Sequence, residues 1–144
     1  MPTLVGFGLA LVVVAALGRI AGLDRDRAFY PVVLIVVASY YVLFAVMAGG
    51  QGLFVELVML ALFAAAAILG FRISLWIVAA GLAMHGLFDF TRHWFLAGRG
   101  VPEWWPAFCG AFDLLAAMGL AAILLLEKGG SASSKGPRMN GTSA

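Results

Sequence analysis

Residues 28–55, bracketed by Arg27 and Glu56, carry no charge. About 20 mostly apolar residues cross the ~30 Å of a bilayer's hydrocarbon, so this run exceeds one crossing. Gly49-Gly50-Gln51-Gly52 breaks it with a turn, and Pro31 suits a first helical turn. The stretch therefore predicts a membrane helix over about 29–48, followed by a return. The rest of the chain agrees: hydrophobic residues make up 64% and charged ones 11%, where soluble domains carry about 25% charge. A mean hydropathy of +1.06 over 144 residues excludes a soluble enzyme, a disordered protein and a disulfide scaffold.

The other bulk features narrow the class further. A net charge of +2 without a basic cluster leaves no nucleic-acid footprint. One cysteine, Cys109, allows neither an internal disulfide nor a thiolate zinc cluster. Two histidines exclude the many-histidine boxes of membrane desaturases. Met1-Pro2-Thr3-Leu4 offers no basic region ahead of its apolar run, so the first hydrophobic stretch is expected to stay as a membrane helix and not leave as a signal peptide.

The spacing predicts an all-α polytopic bundle of five spans, at about 3–22, 29–48, 53–70, 73–97 and 104–126. The last three are long enough only if Glu56, the His85 region and Asp113 lie inside hydrocarbon. Pro102-Glu103-Trp104-Trp105-Pro106 fits an interfacial aromatic belt. Residues 1–128 form the membrane domain, and the Gly/Ser-rich 129–144 is expected to be a disordered cytoplasmic tail. Arg19, Arg25, Arg27, Arg72, Lys128, Lys135 and Arg138 would share one side, seven of the nine basic residues. The positive-inside rule then places the N-terminus outside, the C-terminus in the cytoplasm and the chain in the inner membrane. The expected partner is the bilayer, with room for a homo-oligomer or another membrane protein.

Three acids, Glu56, Asp89 and Asp113, and two histidines, His85 and His93, therefore fall inside membrane helices. A central Asp costs roughly 2.5–3.5 kcal/mol even on the lenient insertion scale. Such groups persist where they face one another, bind a cation or stay protonated. At 1.5 Å of rise per residue, Glu56, His93 and Cys109 fall at one depth, Asp89 and Asp113 roughly 6 Å deeper, and His85 near mid-membrane. Tyr40 and Tyr41 reach a similar depth on span two. In His85-x3-Asp89-x3-His93 all three share a helix face, but about 12 Å of rise separates the histidines. One ion is better held by Asp89 with one histidine, completed by Glu56 or Asp113. This donor set suits a divalent metal such as zinc, iron or manganese. Without metal it suits a proton relay.

Simpler readings exist for the parts. Arg92, three residues after Asp89, can neutralise it as a helical ion pair. Glu56 near the interface can meet headgroups and water. Cys109 can be a packing residue, and Gly18-x3-Gly22, Gly110, Ala117 and Gly119 suit close helix approach.

His85-x3-Asp89-x3-His93 followed by Cys109-x3-Asp113 resembles a family of small uncharacterised bacterial integral membrane proteins. The resemblance covers residues 80–118. It implies that these five positions form a site and implies no reaction. Small multidrug carriers are similar in size, but have four spans with their acid in the first. Membrane ceramidase-like hydrolases offer a chemical analogy and carry a third histidine. Three functions follow as expectations, of which the first two are an outward-facing intramembrane site that binds a divalent metal or protons, in transport, and a metal-dependent hydrolase acting on a lipid-like substrate, with Glu56 as general base. A structural or accessory subunit is the third.

Overall fold

The computed structural model describes residues 1–12, 22, 26–95 and 100–133. Among them are five helices and no strand: α1 (Pro2–Val12), α2 (Phe29–Met47), α3 (Leu53–Arg72), α4 (Leu75–Phe95) and α5 (Trp105–Ser133). Three helices are long and apolar enough to cross a membrane, at Phe29–Met47, Leu53–Arg72 and Trp105–Gly130. Residues 13–21 of the first predicted span, with Arg19, lie outside the described residues, as do Arg25, Arg99 and 134–144.

The helix boundaries follow local chemistry. Asp26 Oδ1 accepts the Ala28 N–H at 2.9 Å just ahead of α2. Pro31 and Pro106 fall in the first turns of α2 and α5, where a missing N–H costs no hydrogen bond. Between α2 and α3, Gly52 takes φ 76° as the residue before the helix, a left-handed conformation that glycine adopts without a Cβ clash. Helix α5 runs on to Ser133, past Lys128, where a disordered tail is predicted to begin. Glycine costs a helix about 1 kcal/mol, which an established ladder absorbs. Lys128 Nζ also sits 5.5 Å from the Trp76 ring centre, which ties this end of α5 to α4.

Helix α4 is the centre of the bundle, packed on α5 most extensively and also on α3 and α2; α1 lies on α5, and α2 on α3. Leu34, Val78, Leu82, Ala116 and Leu120 form much of the core. Helix α3 buries Glu56, Ala67 and Gly70 and exposes Phe54, Leu57, Leu62, Ile68 and Leu69. In water that surface would be costly, but against lipid tails it is at home.

Helices α4 and α5 meet backbone to backbone at Gly86 and Gly110. A Cβ on Gly86 would lie 2.8 Å from the Gly110 carbonyl oxygen, and one on Gly110 would lie 2.9 Å from that of Gly86. The contact lies beside His85 and near Asp113, so it sets the distance at which those side chains meet. Gly86→Ala is expected to destabilise the bundle by about 1–3 kcal/mol through overpacking. Unfolding in mild detergent titrated with SDS measures it.

Candidate functional site

Three helices bring five polar side chains to one buried point. His85 and Asp89 lie one turn apart on α4, on the same face. Cys109 and Asp113 are spaced the same way on α5, and Tyr41 reaches in from α2. All five side chains are buried, Asp113 completely at 0% exposure.

The closest contact joins the two central helices. His85 Nδ1 lies 2.7 Å from Asp113 Oδ2, a distance that requires a proton between them. The same Nδ1 is 3.7 Å from Asp89 Oδ2. Tyr41 donates its hydroxyl to Asp89 Oδ1 at 2.7 Å, and the Cys109 thiol points to Asp113 Oδ2 at 3.7 Å. Phe63 on α3 meets the imidazole edge-on, with ring centres 4.7 Å apart. Each carboxyl keeps one buried oxygen, Asp89 Oδ2 and Asp113 Oδ1, that accepts no hydrogen bond. Buried oxygens of this kind are expensive unless something positive meets them.

One ligand atom from each of His85, Asp89, Cys109 and Asp113 lies within 4.8 Å of the others. A tetrahedral ion with bonds of 2.0–2.3 Å needs its ligands about 3.3–3.8 Å apart. Rotamer adjustments of about an ångström close that difference. Nitrogen, oxygen and sulfur donors together fit zinc or iron better than the oxygen-seeking magnesium or calcium.

Glu56 stands outside this group, in an ion pair. Both of its carboxylate oxygens accept from Arg92, Oε2 from Nη1 at 3.1 Å and Oε1 from Nη2. Arg92 thus pairs across to α3 and not with Asp89 on its own helix, where the sequence offers a partner three residues back. Tyr41 already occupies Asp89 Oδ1, and Glu56 presents a two-pronged acceptor to the planar guanidinium. Arg92 also stacks on Tyr41, with its guanidinium carbon 4.0 Å from the ring centre. Glu56 is buried in this pair, removed from headgroups and water. His93 belongs to α4, but its side chain lies outside the described residues.

Of the predicted site residues, the structure brings together His85, Asp89 and Asp113. Cys109 joins them as a fourth donor; its place four residues before Asp113, on one helix face, is the signal for it. Tyr41 was legible only as a residue of matching depth. Phe63 carried no signal at all. Tyr41→Phe leaves Asp89 Oδ1 without its donor and is expected to cost about 1–3 kcal/mol in the same detergent unfolding experiment. Compared with protein-family models, curated proteins and solved structures, the chain matches none.

Proposed function

We propose that this chain is a small five-span inner-membrane protein, N-terminus outside and C-terminus cytoplasmic, that binds a divalent cation at His85, Asp89, Cys109 and Asp113 for its transport. The observation that carries this reading is the pair of orphaned carboxyl oxygens, Asp89 Oδ2 and Asp113 Oδ1, set among nitrogen and sulfur donors. Charge supports it. The Glu56–Arg92 pair cancels itself, and a ligand set of two carboxylates, a neutral imidazole and the Cys109 thiolate carries −3. A divalent cation reduces this to −1, which lowers the cost of holding those groups in a low-dielectric interior. Tyr41 orients Asp89 from outside the ligand set, the role that hydrogen-bonded partners play around metal sites. Protons at the same group are the metal-free form of this reading, passed between Asp113, His85 and Asp89. We read His85-x3-Asp89-x3-His93 with Cys109-x3-Asp113 as the pattern shared with the small bacterial membrane proteins the sequence resembles.

One observation favours the hydrolase as a second reading. A cavity of about 420 Å³ between α1, α2 and α5 is lined by Val33, Val37, Tyr40, Trp105, Phe108 and Cys109, among other apolar residues. Cys109 of the donor group lines it, so if three of the four donors held the ion and left its fourth position to water, an apolar substrate there would lie beside that water. Glu56 is held by Arg92 and does not serve this reading as a base.

Elemental analysis of the protein purified in mild detergent tests the proposal. Near-stoichiometric zinc, iron or manganese supports it. Absence of metal after incubation with each ion, in a folded protein, overturns the metal site and leaves proton transfer or a structural polar layer. Hydrolysis of lipid by the metal-loaded protein would decide for the second reading.

A further inference from the structure

At the other end of the bundle from the Pro102–Trp105 loop, a second recess of about 430 Å³ lies between three segments. Its walls include Arg27 ahead of α2, Ser74 and Trp76 at the α3–α4 turn, and Leu124, Glu127 and Lys128 on α5. The Arg27 Nε donates to the Phe71 carbonyl at 2.8 Å, one of the end carbonyls that α3 cannot satisfy itself. That bond fixes the guanidinium at the wall, with its two NH₂ groups beyond it. Lys128 lies over the Trp76 ring. Ser74 Oγ accepts the Trp76 backbone N–H at 3.4 Å and keeps its own proton to donate. Glu127 is exposed and takes part in none of the ion pairs found among the described residues.

The recess thus holds two cations, a hydroxyl and one carboxylate in one place, with Ile73, Leu75, Trp76 and Leu124 as its apolar side. Guanidinium, ammonium and hydroxyl groups together suit a phosphate. The carboxylate suits a primary ammonium, which donates three hydrogen bonds. We propose that this recess binds the headgroup of an amine-bearing phospholipid, phosphate on Arg27, Lys128 and Ser74 and ammonium on Glu127. Its acyl chains run along the exposed apolar surface beside it, where Ile73 and Leu126 are each 68% exposed. A choline headgroup has no N–H for Glu127, and a glycerol headgroup has no positive charge for it. Trp76 matches the interfacial depth such a headgroup occupies. This site is independent of the metal group.

The test reconstitutes the full chain in vesicles of equal parts phosphatidylethanolamine, phosphatidylglycerol and phosphatidylcholine. It is then extracted into mild detergent, and the retained lipid is counted by mass spectrometry. Phosphatidylethanolamine is expected to exceed each of the others by about tenfold, the scale of one charge-assisted hydrogen bond. Glu127→Gln is expected to erase that preference while lipid is still retained, and Arg27→Gln with Lys128→Gln to lower retention of all three. Arg27, Glu127 and Lys128 are all exposed, and a wild-type helical circular-dichroism spectrum of each variant checks that it folds. Equal retention of the three lipids overturns the proposal, as does a preference for phosphatidylglycerol or one that Glu127→Gln leaves intact. Competition by soluble glycerophosphoethanolamine at concentrations equal to the lipid's assigns the site to the free headgroup and overturns the lipid as its ligand. Resistance to that competition supports the lipid.

Discussion

Asp113→Asn purified beside the wild type is expected to lose bound divalent metal by more than about 100-fold in affinity, and His85→Ala to do the same. Changing a residue that merely orients a ligand costs about 10–100-fold, and in the proposed site these two would themselves be ligands. Asp113 is the hub of the group: its Oδ2 meets both His85 Nδ1 at 2.7 Å and Cys109 Sγ at 3.7 Å, and its Oδ1 is one of the two orphaned oxygens. An amide in its place keeps the volume and removes the charge, so a folding defect does not imitate the result. Cobalt titration gives a second readout. Thiolate ligation by Cys109 produces a sulfur-to-metal charge-transfer band that Cys109→Ser abolishes while His85-dependent binding persists. Metal content unchanged in Asp113→Asn would refute the ligand set proposed above.

Arg92→Ala is expected to destabilise the fold by about 3–5 kcal/mol, because it leaves the buried Glu56 carboxylate without its counter-ion. Glu56→Gln strands the guanidinium in the same way and should cost a similar amount. The effect is larger than that of any hydrogen-bond deletion here, since an unpaired charge in a low-dielectric interior has no inexpensive refuge. The double variant Glu56→Met/Arg92→Met is expected to recover most of the loss, as buried pairs replaced by apolar residues of similar volume often do. Unfolding in detergent titrated with SDS measures all three. A double variant no better than the singles would show that Arg92 acts chiefly through its stacking on Tyr41, and not through the charge pair.

The donor group around Asp113 and the Glu56–Arg92 pair lie in what helical rise alone makes one polar layer. By helical rise alone, Glu56, His93 and Cys109 fall at one depth with Asp89 and Asp113 just beyond, and all read as one candidate site. The structure separates Glu56, in a self-neutralising pair with Arg92 across α3 and α4, from Asp89, Cys109 and Asp113 in a donor group on α4 and α5. Depth was legible because rise per residue is constant along a helix. Rotation was not, because which face of α3 turns toward α4 depends on packing at Gly70, whose added Cβ would collide with Val78. Arg92 shows the consequence. Its sequence neighbour Asp89 is the obvious partner, yet the long side chain reaches to another helix, where the acceptor is two-pronged.

Apolar run lengths, prolines in first turns and the Gly49–Gly52 turn determined the helical composition and most helix limits. Those signals are local: they depend on backbone hydrogen bonding within a few residues. The one-turn spacings His85 to Asp89 and Cys109 to Asp113 likewise determined that each pair shares a face. Only the tertiary structure decided that the two faces are opposed, with the Gly86–Gly110 contact letting the backbones approach until His85 and Asp113 meet at 2.7 Å. Likewise, only packing placed Tyr41 on Asp89 and Glu56 on Arg92. Contacts between helices depend on their rotation and separation, and those are set by side-chain volume across an interface that no single segment of the chain contains.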